Sequence, residues 1–171
     1  MLHRYRTYNA PMPTTAALAS VTTNTVIQTL LQLAVPAGRA FQIPAWGFTV
    51  DDVPGADAVI ELVDTAAIAA TVTAHTSTGI IKLDNTIDTS LATLGASATG
   101  YTATAEGAIV ATRVLDVVRL SSTSAEITQN PYEKEWPWHR IPTVAASRFL
   151  RVRCTSPTTG VAISCWIDWM E

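Results

Sequence analysis

Two stretches of the chain alternate apolar and other residues with a period of two, and a short turn containing proline and glycine interrupts each. The first covers residues 30–48 with its turn at 36–38, and the second covers residues 148–169 with its turn at 157–160. This pattern is typical of antiparallel strands with one buried face, and the short turns predict a β-hairpin in each stretch. Helical periodicity is nearly absent. We therefore expect an all-β, antiparallel β-sandwich, jelly-roll-like, with about eight strands.

The first stretch changes phase in its second half. Phe41 and Ile43 occupy odd positions, whereas Trp46 and Phe48 occupy even ones. Because side chains alternate strictly along a strand, this shift predicts a β-bulge at residues 44–45. Residues 111–120 are apolar on both faces in part, a pattern typical of a central strand.

Three regions that differ in composition and periodicity indicate the domain organisation. Residues 1–20 show neither period, and Pro11 and Pro13 interrupt regular pairing, so we expect an extended N-terminal arm. Such an arm is either a frayed terminus or a tether that orders on a neighbouring subunit. Residues 21–171 are expected to form a single β-sandwich domain. Within it, residues 65–107 are rich in Ala, Thr, Ser and Gly, and predict a long insertion.

Charge is scarce in this chain. Only 15% of the residues are charged, against about 25% in an average soluble domain. Either partners cover much of the surface, or the exterior is neutral and rich in threonine. The formal net charge of −3 argues against a nucleic-acid partner. No run of apolar residues is long enough to span a membrane, so no membrane partner is expected.

The two cysteines could be either free thiols or partners in a disulfide. A hairpin turn at residues 159–160 would place Cys154 and Cys165 opposite each other on one apolar face. The sequence favours two buried free thiols and leaves a disulfide open.

No group of reactive side chains points to catalysis. His3, His75 and His139 lie far apart in the sequence, without the spacing of a metal site. The serines lack the Gly-x-Ser-x-Gly pattern of a nucleophile elbow. We therefore expect no enzyme activity, no metal and no cofactor.

Aromatic and arginine side chains are instead the candidates for contacts with partners, because such residues dominate protein interfaces. They occur near the start of the chain, in a proline-broken segment at residues 130–142, and in the last strand. The candidates are His3, Arg4, Tyr5, Arg6, Tyr8, Trp136, Trp138, His139, Arg140 and Trp166. Trp136 and Trp138 also suit stacking against sugar rings, as in carbohydrate-binding modules.

Several motifs resemble those of small structural proteins of tailed bacteriophages. They are the run Leu-Leu-Gln-Leu-Ala-Val-Pro-Ala-Gly-Arg at 30–39 leading to Trp46-Gly47-Phe48, Ala105-Glu106-Gly107, the Tyr132, Pro137 and Arg140-Ile141-Pro142 positions, Phe-Leu-Arg-Val-Arg at 149–153, and Cys-Trp-Ile-Asp-Trp-Met-Glu at 165–171. The resemblance covers about two-thirds of the chain, without residues 65–104 and the arm, and is to head decoration proteins, also called cement or minor capsid proteins.

The resemblance implies a compact β-fold located in the virion, on the capsid exterior, after assembly in the host cytoplasm. It further implies two partners, the major capsid protein and the chain itself, as a homotrimer. The alternative is a phage tail, baseplate or host-surface carbohydrate-binding module, which would use Trp136, Trp138 and the long insertion.

Overall fold

The computed structural model describes residues 2–12, 15–108, 110–123, 141–157 and 160–171, and the backbone of 127–131. Within these residues there are thirteen strands and one short 3-10 helix, Ser77–Gly79. The strands are β1 (Arg4–Tyr8), β2 (Val21–Thr22), β3 (Gln28–Ala34), β4 (Phe41–Val50), β5 (Ala58–Asp64), β6 (Thr71–Ala74), β7 (Ile81–Lys82), β8 (Gly100–Ala105), β9 (Arg113–Leu120), β10 (Ile127–Pro131), β11 (Thr143–Val144), β12 (Phe149–Thr155) and β13 (Ala162–Met170).

The strands form two antiparallel sheets that pack face to face. The seven-stranded sheet has the order β10-β4-β13-β1-β7, with β11 beside β4 and β2 beside β13. The six-stranded sheet has the order β6-β8-β3-β12-β5-β9. Side chains of both sheets, such as Trp46, Phe48, Leu62 and Val152, join in one buried core. The prediction of an all-β antiparallel sandwich is confirmed, with thirteen strands in place of about eight.

The two predicted hairpins are wrong. β3 pairs with β12 and β8, while β4 pairs with β13 and lies in the other sheet. The terminal pair separates in the same way, because β12 and β13 also belong to different sheets. Consecutive strands therefore lie in opposite sheets, both at β3 and β4 and at β12 and β13. Hairpins and such crossings share the same alternating pattern, and the strand pairings distinguish them. Every residue of β3 is buried, so both of its faces are covered.

The first residues of the predicted N-terminal arm form a strand, so this part of the prediction is also wrong. β1 runs along β13 on one side and along β7 on the other. Tyr5 and Thr7 face inward and are buried, while Arg4, Arg6 and Tyr8 face outward. Residues 4–8 are therefore a strand of the sandwich. The sequence pattern did not reveal this strand, because its inward positions carry one aromatic residue, Tyr5, and the polar Thr7.

The predicted bulge is confirmed, whereas the predicted central strand is not. Ala45 lies opposite Asp168 and Gln42 opposite Met170, so β4 has one extra residue between these pairs, at residues 43–44. β9, in contrast, lies at the end of the six-stranded sheet and pairs with β5 alone among the described strands.

Residues 65–107 are part of the sandwich and do not form an insertion outside it. They supply β6 and β8 to one sheet and β7 to the other. The segment also covers the outer face of β3 and β12. The Gln32 amide donates to the carbonyl of Ala98 (2.6 Å) and accepts from the amide of Ala70 (2.8 Å). The buried Arg151 guanidinium donates to the carbonyls of Ile68 and Glu106.

Both cysteines are free and buried in the core. They lie in different sheets, so the predicted pairing on one hairpin face is wrong. Burial raises the pKa of Cys154 to about 12 and that of Cys165 well above its ordinary value. These two raised pKa values mean that neither cysteine readily forms the reactive thiolate.

A disulfide-exchange reagent is therefore expected to modify neither thiol in the native protein and both after denaturation. The test is a colorimetric thiol titration at pH 8, with and without denaturant and without reductant. Rapid modification of the native protein, or no free thiol after denaturation, would contradict the structure.

His75 connects the 65–107 segment to β1. Its Nε2 lies 2.8 Å from the carbonyl oxygen of Tyr8 and 3.0 Å from the Thr7 hydroxyl, and the ring is tilted against Tyr101. Because a carbonyl only accepts, Nε2 carries the proton of the neutral ring. The residue is 4% exposed. Burial lowers the pKa of His75, since it disfavours the charged ring.

Acidification is therefore expected to destabilise the fold through His75. The unfolded chain binds the proton first as pH falls below about 6.5, so this stability is present above that pH and is lost toward the lower folded-state pKa. The slope of unfolding free energy is at most about 1.4 kcal/mol per pH unit. Urea denaturation from pH 7 to 5 should show a steeper loss for the wild type than for His75→Gln. His3→Gln is the control for the loss of a histidine, and His75→Gln should differ more from the wild type than this control does. Equal slopes in all three proteins would exclude this role for His75.

Candidate interaction surface

The pairing of β1 with β13 brings the two ends of the chain together on the outer face of the seven-stranded sheet. Arg4 lies opposite Met170, Arg6 opposite Asp168, and Tyr8 opposite Trp166. Because side chains alternate, these residues project away from the core, while Tyr5, Ile167 and Trp169 project into it. We call the group Arg4, Arg6, Tyr8, Trp166 and Asp168 the Arg6–Trp166 surface.

A single carboxylate organises this surface. Asp168 accepts from Arg6 Nε at 2.5 Å and from Arg6 Nη2 at 2.8 Å, so the pair is bidentate. Arg4 Nη2 adds a third bond of 2.8 Å. Although Asp168 faces outward it is fully buried, whereas the Arg4 and Arg6 side chains are 33% and 30% exposed. The hydrogen bonds that Arg6 donates to Asp168 raise the pKa of Arg6 above its already high value.

Two aromatic rings continue the surface beside Arg6. The guanidinium carbon of Arg6 lies 5.8 Å from the centre of a Trp166 ring, within range of a cation–π contact. Tyr8 and Trp166 are 6.4 Å apart and tilted by 45°. The Arg6 Nη1 also reaches the Tyr8 hydroxyl at 3.5 Å. Both aromatic residues are half-buried.

The arrangement is suited to adhesion. Trp, Tyr and Arg contribute most of the binding energy at protein interfaces. Here neighbouring contacts on rigid strands already restrict the rotamer freedom of Arg6 and Trp166, so a partner meets an ordered surface and the entropy cost of binding is lower.

Sequence reasoning selected four of these five residues but also selected residues with other roles. Tyr5 is a core residue: its ring stacks on Trp169 at 5.7 Å and its hydroxyl donates to the carbonyl of Asp88. It is therefore not available as a surface contact. His3 pairs through its backbone with Glu171 at the start of β1. Trp136, Trp138, His139 and Arg140 lie outside the described residues.

Asp168 is the residue of this candidate surface that the sequence prediction missed. A usable signal was present, because aspartate is depleted in strands and this one interrupts an apolar run at an outward position. An acid there indicates a cationic partner on the neighbouring strand.

The described part of the chain has no cluster of three or more His, Cys, Asp or Glu side chains that could hold a metal ion. In that same part, no helix is long and apolar enough to cross a membrane.

No protein-family model matches the chain, and the searches of curated proteins and of solved structures gave no match either.

Proposed function

We propose that the chain is a bacteriophage capsid decoration protein, which binds the outside of the major capsid shell and stabilises it through protein–protein contacts. The observation that carries the proposal is the Arg6–Trp166 surface, an ordered arginine and aromatic patch on the open face of a sheet. The sequence resemblance to head decoration proteins supplies the identity of the partner.

Scarcity of charge supports the same conclusion. With 15% charged residues, the protein has few solvated side chains to oppose association. Such a surface suits a protein that works in a crowded assembly, where sibling subunits and shell proteins cover much of it. We further propose a homotrimer, in which one patch of each copy contacts a different patch of the next.

The test is co-sedimentation of the purified protein with empty capsids that lack it, preceded by light scattering. A mass of three times the 18.3 kDa chain and saturable binding to capsids are the expected results. Retention of the protein by cell-wall glycans without any binding to capsids would contradict decoration and favour a host-surface module.

A further inference from the structure

The free edge of β9 is a second surface with the properties of a binding site. β9 (Arg113–Leu120) pairs through one edge with β5, and among the described residues no strand lies along its other edge. Val114 and Val117 on this strand are 53% and 47% exposed. An edge of this length presents a row of backbone donors and acceptors, of which the Val117 amide already donates to the Asp116 carboxylate at 2.9 Å.

The composition of β9 is unusual for an edge. Proteins commonly protect edge strands by making them short or by placing lysine, proline or a bulge there. β9 contains no lysine, proline or glycine and is apolar at five of its eight positions. It does have a bulge, with Leu115 as the extra residue between the pairs Leu62–Asp116 and Val63–Val114, so the regular part of the edge is residues 116–120. β6, at the opposite end of the same sheet, is only four residues long and has two threonines. The pattern that predicted a central strand is thus found on a strand with one neighbour.

Charge around this edge indicates the chemistry of an occupant. Arg113 and Arg148 both bind Asp64, at 3.0 and 2.8 Å, so two cations share one buried carboxylate. Arg119 is exposed and has no ion-pair partner in the described part of the chain. Asp116 instead accepts from the Trp46 indole. Among these residues, three arginines stand against two acids, Asp64 and Asp116, in a protein whose net charge is −3.

We propose that the free edge of β9 accepts an extended segment of a partner protein, with alternating apolar and acidic side chains, as an additional strand. Backbone hydrogen bonds provide the pairing, and the side chains facing Val117 and Arg119 provide the preference. The inference rests on the proposed function only in naming a shell subunit as the source of that segment.

The experiment uses two capped heptapeptides as probes, one alternating valine with glutamate and the other alternating valine with lysine. Hydrogen exchange of residues 113–120 is measured by mass spectrometry in the full chain. At saturation the glutamate peptide should slow exchange of this segment about tenfold, and the lysine peptide should have little effect. Val117→Glu should abolish the protection, because its carboxylate would face the carboxylates of the peptide. Thr73→Glu, on exposed β6, is the matched control and should retain it.

Three results would overturn the inference: no protection, equal protection by both peptides, or protection that appears without peptide as protein concentration rises and disappears in Val117→Glu. The last would identify a second copy of the chain as the occupant. Peptide binding in a protein that ignores capsids would contradict the proposed function and leave the β9 site intact.

Discussion

Replacing Asp168 with alanine is expected to lower the free energy of unfolding by about 2 to 3 kcal/mol, because the change leaves two arginines without their shared carboxylate. The loss stays below that of a fully buried pair, since the Arg4 and Arg6 side chains are about one-third exposed and can be hydrated. Urea denaturation at pH 7 measures the effect.

Asp52→Ala is the matched control, because Asp52 is an exposed carboxylate in the turn after β4. Its effect should stay within about 0.5 kcal/mol. If the two variants were equally stable, Asp168 would not be the residue that organises the Arg6–Trp166 surface.

The second large effect is expected at Gly100, where β8 passes between β3 and β6. A Cβ atom there would lie 2.3 Å from the carbonyl oxygen of Thr73 and 2.6 Å from a methyl group of Val72. The backbone of β6 would have to move, so Gly100→Ala should cost about 3 kcal/mol, near the upper end of the range for overpacking. Thermal and urea denaturation check this value.

Gly38→Ala separates steric from conformational cost. A Cβ at Gly38 meets nothing within 4 Å, but the residue has a φ of +77°. That variant should lose only about 1 kcal/mol, from backbone strain. A Gly100→Ala protein as stable as Gly38→Ala would mean that β6 and β8 do not pack as described, and that residues 65–107 are peripheral to the sandwich.

The sequence was sufficient to predict strands and their local irregularities. The change of phase between Phe41 and Trp46 located the bulge of β4 within a residue, because alternation is a local property. Partner strands could not be predicted in the same way. A run, a turn and a second run describe a hairpin and a crossing between sheets equally well, and the buried state of all of β3 depends on residues 65–107, which are distant in sequence.

The interaction surface was predictable in its residue types and not in its assembly. Arg6 and Trp166 were selected because arginine and tryptophan are typical of interfaces. The contact between Arg6 and Trp166 could not be predicted. It depends on the pairing of β1 with β13, and Arg6 and the Asp168 that holds it are 162 positions apart in the sequence. Tyr5 was misassigned for a related reason: an aromatic residue beside two arginines resembles a surface anchor until the strand direction is known.

The central claim is that the protein works by adhesion through the Arg6–Trp166 surface, and a capsid-binding titration with Trp166→Ala tests it most directly. Loss of an interface anchor of this kind costs about 2 kcal/mol or more, so Kd for empty capsids should rise about 30-fold. Val53→Ala, which removes an exposed apolar side chain from the connection after β4, should bind like the wild type. If all three folded proteins bind capsids with the same Kd, or none binds, the account is contradicted.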